Sequence, residues 1–305
     1  MSGARVNSAP VEVATRDETL DSIRLRTTVD NTSGSGGGVI WSDRRTDLIV
    51  PIPVRQIRAL DLVSVGTTDS DTVEWTEETT LTDAAAETAY GTAAPESAYG
   101  YTKQSTTVKR IPHFVPATKG SLMDGGRLRS LLENRLMRGV RLRLESQVVA
   151  GDGVGENLQG IYDVVTQAQA LGADTRFDAV HKAITVVRVN YFDEPTAIGI
   201  HPNDYEQVVL EKDTAGNYVH GRAASEGSVQ TLWGLLPVVS TVFTEGTPLV
   251  GDYSAAELAV RTGVSVAASD SHSDFFTKGL VALLAEMRAA FFVTQPLAFC
   301  EITGF

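Results

Sequence analysis

Apolar and polar residues alternate over 72–78 (TVEWTEE), where Val73 and Trp75 stand between polar neighbours, the pattern of a strand with one buried face. A second alternating stretch, YGYTKQSTTVKRI at 99–111, predicts a strand that returns antiparallel to the first. About twenty residues rich in Ala, Thr and Glu separate the two, and a connection that long is usually functional or mobile. The expected unit over 69–110 is a long, projecting hairpin.

The period then changes. Leu128, Leu132, Leu136, Val140, Leu144 and Val148 recur every four residues and predict a helix over 124–149. Four residues overshoot the turn of about 3.6 residues, so the stripe drifts and predicts packing against more than one partner element. Asp124 supplies an N-terminal acid, and Gly151 stands where a helix C-cap is expected. Beyond it the patterns alternate. A helix is expected over 178–189 and a strand over 196–202. A further helix follows with Asn203 as its N-cap. Then come apolar segments at 236–243, 248–261 and 263–269, and the tail units at 275–293 and 298–302. The whole predicts an α+β body. Residues up to about 45 are polar, with SGSGGG at 33–38, and predict a flexible arm. Pro51 and Pro53 make the apolar run at 48–54 an edge segment.

Composition narrows the function classes. The formal net charge of −12 over 305 residues argues against a surface that grips nucleic acid. The apolar stretch 279–293 is interrupted by Glu286 and Arg288, so a membrane span is not expected. The single cysteine, Cys300, excludes an internal disulfide. Charge is also unevenly placed. From 69 to 96 there are eight acids (Asp69, Asp71, Glu74, Glu77, Glu78, Asp83, Glu87, Glu96) and no Lys or Arg. From 103 to 143 ten Lys and Arg residues face only Asp124 and Glu133. Such blocks neutralise each other within one chain, pair between copies, or stand as two solvated faces.

Catalytic signatures are weak. Five scattered histidines (His113, His181, His201, His220, His272) and one cysteine form a poor metal-binding inventory, so no metal is expected. Cys300 lies in an apolar strand and reads as a small buried hydrophobe. VAGDGVGENLQGI at 149–161 is rich in glycine, as phosphate-binding loops are, but it follows a helix rather than opening one, and lacks the Gly-Lys-Ser/Thr ending. Gly151, Gly153, Gly155 and Gly160 are therefore expected to form a hinge into the next domain. No catalytic residue and no cofactor is expected.

Four segments in order carry a resemblance: GTAAPESAYGYTKQSTTVKRI, LMDGGRLRSLLENRLMRGVRLRLESQVVAGDGVGENLQGI, WGLLPVVSTVFTEGTPLVGDYSAAELAVRTGVSV and FFTKGLVALLAEMRAAFFVTQPLAFCEI. Together they resemble the major capsid proteins of tailed bacteriophages, the Hong Kong 97-type fold. The resemblance implies a flexible arm at 1–47 and a peripheral domain at 48–68 and 111–155, with its spine helix at 124–149. It further implies an extended loop at 69–110, an axial domain at 156–264, and a return to the peripheral domain with a closing strand at 265–305. It departs from the family at Leu158-Gln159, where a proline often precedes the Gly-Ile, and at 115–118, where a Val-Ser is common.

The function implied is a shell subunit of a virion head that self-assembles as pentamers and hexamers in the host cytoplasm. Its partners would be copies of itself, with a scaffolding protein, a portal and decoration proteins as further ones. DNA would be enclosed without sequence recognition, and no membrane is implied. The chain leaves no room for a long scaffolding region before the shell-forming part, so a separate scaffold or none is expected. Only Lys103 lies near the loop and no Asn follows Asn217, so a Lys–Asn cross-link between subunits is not expected. Inter-subunit contact candidates are Trp75, Glu77, Glu78 and Glu87 on the loop and Arg127, Arg135, Arg138 and Arg141 on the helix. Two alternatives stand beside this reading. One is an encapsulin nanocompartment, disfavoured because 1–45 lacks an amphipathic helix pattern. The other is a nucleotide-binding enzyme using the glycine loop.

Overall fold

The structure, a computed structural model, describes residues 52–124, 126–212, 215, 216, 218 and 231–305, without the side chains of 124, 126 and 127. The expected arm at 1–47, most of the edge segment at 48–54, His220 and the Arg127 side chain lie outside the described residues. The unit Val54–Phe305 carries every element that follows.

After a 3-10 turn at Ala59–Asp61 come β1 (Ser64–Thr67), β2 (Thr72–Thr82), β3 (Ala98–Thr107) and β4 (Lys109–Thr118). Helices α1 (Lys119–Asp124), α2 (Gly126–Ala150) and α3 (Ile161–Val164) follow. Next are β5 (Gln167–Ala170), α4 (Arg176–Asn190), β6 (Ala197–Ile200), α5 (Pro202–Val209), β7 (Leu236–Val239) and β8 (Leu249–Gly251). The chain closes with β9 (Ala256–Ser269), α6 (Phe275–Lys278), β10 (Leu280–Val293) and β11 (Phe299–Thr303).

Two sheets organise these strands. A four-stranded sheet has the order β1-β9-β10-β4, and a five-stranded sheet the order β5-β11-β8-β6-β7. Strand β10 is central and covered on both faces, so it reads as a near-continuous apolar run. One face (Leu283, Ala285, Met287, Ala289, Phe291) joins the core formed with Leu136, Val140, Leu144 and Val148 of α2. Burying one of the larger of these side chains, Leu, Met or Phe, contributes roughly 1.5–3 kcal/mol. The other face presents Ala290 and Phe292 to Val73, Trp75 and Val108 at the root of the hairpin.

The drift of the helical stripe has the expected consequence. Val149, one residue off the ladder, packs with Ala59, Val238, Val242 and Phe243 rather than with the four-stranded sheet. The five-stranded sheet has its own core under α4, where Ala179, Val180, Ala183, Ile184 and Val187 meet Ile198, Ile200, Val250, Cys300 and Ile302. Thr175 caps α4 by accepting the Asp178 N–H at 3.2 Å.

Several boundaries differ from expectation. The boundary expected at 264–265 falls inside β9, and the closing strand β11 joins the five-stranded sheet between β5 and β8. Sheet membership is decided by partners far along the chain, which local patterning does not register. Asn203 is not the cap of α5. His201 holds that position and accepts the Asn203 N–H, because Pro202, having no N–H, takes the first helical place. The Asn203 side chain instead donates to Glu245 at 3.0 Å.

Candidate functional site

The most conspicuous surface feature is the hairpin. Strands β2 and β3 pair antiparallel from Thr72↔Thr107 to Thr82↔Ala98, with one irregularity between Glu78 and Thr80. Period-two alternation places Val73, Trp75 and Glu77 on one face and Glu74, Thr76 and Glu78 on the other. The first face packs onto the subunit near the root. Trp75 stacks on Phe292, ring centroids 4.6 Å apart.

Within its own chain the half-buried indole of Trp75, one of the expected inter-subunit contacts, is the apolar anchor that seats the hairpin. Glu77 accepts from Gln104 across the pair at 3.1 Å, and Glu74 pairs with Lys103 at 2.6 Å. Towards the tip Glu78, Asp83, Glu87 and Glu96 are exposed, beside exposed Leu81, Tyr99 and Tyr101. Isolated two-stranded hairpins are marginal in water. Among the described residues this one is anchored at its base.

The second feature is the arginine-bearing face of α2. Arg129 pairs with Glu133 one turn on, at 2.9 Å. Arg138 Nη2 donates to the carbonyls of Val54 and Arg55, at 3.2 and 2.8 Å. Arg138, an expected inter-subunit contact, therefore also holds the entering segment of its own chain. Arg135 is half-buried, whereas Arg141 is exposed. Arg138 and Arg141, with Gln56, Ile57, Asn134 and Met137, line an open groove of about 560 Å³.

Beneath this segment lies Glu145, which sequence reasoning passed over. It is fully buried. Its Oε1 accepts the N–H groups of Arg58 and Ala59 at 2.8 and 3.0 Å, and its Oε2 lies 3.2 Å from Arg55. Arg55 also donates to the Leu142 carbonyl and the Ser146 hydroxyl. The one available signal was a carboxylate set between Leu144 and Val148 in the apolar stripe.

The glycine loop is tied across itself. Gly151 N–H donates to Gln147, Gly153 N–H to Leu158, and Gly160 N–H to Gly151. The Gln147 side chain accepts the Leu158 N–H at 2.8 Å, and Asp152 accepts from Val154 and Asn157. That hydrogen bond from Asn157, then the one from Val154, holds the Asp152 carboxyl below its usual range. Gly151 and Gly160 are needed for close crossing: a Cβ on Gly151 would meet the Leu158 oxygen at 2.1 Å. Gly153 and Gly155 adopt left-handed backbone, both at φ 63°. The loop's amides thus serve the chain itself at the C-terminal end of a helix. That geometry opposes phosphate binding. Lys109, next to the hairpin root, donates to the Gly155 carbonyl at 2.7 Å.

Two mixed sheets, a long helix laid against one of them, and a hairpin projecting from the other face of that sheet define the Hong Kong 97-type capsid fold. The sequence model of the Phage capsid family matches residues 36–304, and the chain belongs to that family. It is 32% identical over 274 residues to the major capsid protein of Enterobacteria phage HK97, covering 88% of this chain and 70% of that protein. Among solved structures, that of Gordonia phage Cozz superposes with a TM-score of 0.68 at 12% identity, covering 99% of both chains. The capsid of a native GTA particle, computed with C5 symmetry, gives 0.70 at 15% identity, covering 87% of this chain and 98% of that one. These matches favour the phage capsid over the encapsulin alternative.

Proposed function

We propose that this chain is a major capsid protein whose copies form pentamers and hexamers that close into the icosahedral head around phage double-stranded DNA. The observation that carries the reading is the 32% identity to the HK97 major capsid protein over 274 residues. In this reading the four-stranded sheet with α2 is the peripheral domain, the five-stranded sheet with α4 is the axial domain, and the tied loop 151–160 marks the passage between them. The subunit is a structural protein of the virion, assembled in the host cytoplasm. Scaffolding, portal and decoration proteins are its further partners.

The exposed tip acids, Glu78 and Glu87 among them, seat against a second copy beside Arg141, in the groove that Gln56 and Met137 help to line. Complementary charge of this kind sets register and orientation between partners. A head-to-tail contact repeated around an axis closes into a ring. Electron microscopy of the purified full-length protein tests the reading. Hollow icosahedral shells or five- and six-membered rings are expected; a uniformly monomeric protein under all assembly conditions overturns it. Mature particles should dissociate to single subunits on denaturing gels, because the shell is held without Lys–Asn cross-links.

A further inference from the structure

The hairpin root crosses the four-stranded sheet from edge to edge. Strand β1, which precedes it, is one edge strand, and β4, which follows it, is the other. Along this crossing the sheet carries three arginines. Arg110 of β4 and Arg288 of β10 are directly opposite each other, and Arg261 of β9 adjoins Thr262, the residue paired with Arg288. Like charges directly opposite in a sheet are destabilising.

Two carboxylates offset them. Glu286 accepts from Arg110 Nε at 2.8 Å. Asp71 Oδ1 accepts from Arg288 at 2.7 Å and also pairs with Arg261. Asp71 directly precedes β2, and its carbonyl accepts the Val108 N–H from the returning strand at 2.8 Å. One residue therefore ties both feet of the hairpin to the two central strands beneath. The β9–β10 register shifts on both sides of Arg288. Irregularities of this kind re-aim a side chain. The apolar contacts at the root, Val73, Trp75 and Val108 on Ala259, Ala290 and Phe292, form only a small cluster.

We infer that Asp71 is an electrostatic latch that fixes the angle at which the extended hairpin leaves the body, and that rising ionic strength loosens it. The Asp71 side chain is 70% exposed, so mobile ions reach the pair. Without the Asp71 charge, Glu286 is the one carboxylate among the described residues still paired with any of the three arginines, and the root is pushed off the sheet. The latch works within one subunit and is read before any assembly, so it stands or fails independently of the shell reading.

Amide hydrogen exchange on the full-length, unassembled protein tests it. In Asp71→Asn, amides of 72–76 and 104–108 should exchange at least about tenfold faster, while β6 and β8 keep their rates. Adding Arg288→Gln should return the hairpin to within about threefold of the parent by removing the unpaired charge. The unsubstituted protein in about 1 M NaCl, where the Debye length is about 3 Å, should show the same local acceleration. Unchanged hairpin exchange in Asp71→Asn overturns the latch. So does acceleration that Arg288→Gln fails to reduce, and so does equal acceleration in both sheets. Hairpin exchange indifferent to salt overturns the ionic-strength dependence.

Discussion

The indole of Trp75 lies over the phenyl ring of Phe292, centroids 4.6 Å apart and planes inclined by 21°. This stack makes the base of a projecting hairpin part of the subunit's own core. Trp75→Ala should lower unfolding free energy by about 1–3 kcal/mol. It should also make the hairpin the first site of limited proteolysis. Urea titration and mapping of the first cleavage measure the two effects.

Glu145 joins residues brought together from 86 and 87 positions away, and its carboxylate is fully buried. Glu145→Ala leaves two N–H groups and Arg55 without it, and should cost about 3–5 kcal/mol. Glu145→Gln keeps an oxygen for the two amides and should cost clearly less. Equal losses in the two variants, read from thermal or urea unfolding, would show that the charge rather than the hydrogen bonds matters.

The glycine loop offers a contrast between space and backbone. A Cβ on Gly160 would stand 2.4 Å from the Gly151 nitrogen, so Gly160→Ala must displace the crossing and should cost about 1–3 kcal/mol. Gly155 has open space around it but a left-handed φ of 63°, so Gly155→Ala should cost about 1–2 kcal/mol from backbone strain alone. Nucleotide added to either variant or to the parent should leave the melting temperature unmoved.

Arg141→Glu tests the pairing between copies more cleanly than a change at Arg138, which holds its own chain. The variant should fold with unchanged stability, within about 0.5 kcal/mol, because the side chain is exposed. Shell yield by sedimentation should fall, and a compensating Glu87→Lys should recover part of it. Normal yield in Arg141→Glu would exclude this contact.

Burial pushes the Tyr162 hydroxyl up to about 12, and the proton it would lose is donated to the Thr247 carbonyl at 2.6 Å. A raised folded-state value means that the folded protein holds the proton more tightly than the unfolded chain. Its stabilising contribution is complete below about pH 10, the unfolded value, and is lost as pH rises towards 12. Tyr162→Phe should cost about 1 kcal/mol at neutral pH. It should also flatten the alkaline fall in stability. The fall will not vanish, because burial likewise raises the Cys300 thiol to about 12.

Much of the local structure was legible from spacing. The four-residue ladder from Leu128 to Val148 marked the long helix, and alternation around Trp75 and Tyr101 marked the two strands that pair. These patterns are visible because the period of a helix or strand is a property of neighbouring residues. The ordered segments were enough to identify the family.

What only the tertiary structure decided was partnership. Trp75 and Arg138 carried the residue types of an interface, yet both are used at home, by Phe292 and by the carbonyls of Val54 and Arg55. Asp71 and Arg288, 217 residues apart, and Glu145 with the turn at Arg58 left no local trace. Charge is read along the chain as a block, but an ion pair depends on where the fold carries each end. The loop VAGDGVGENLQGI shows both sides of this. Its glycines announced a special backbone, and only the crossing of Gly151 over Gly160 shows that the backbone is closed upon itself.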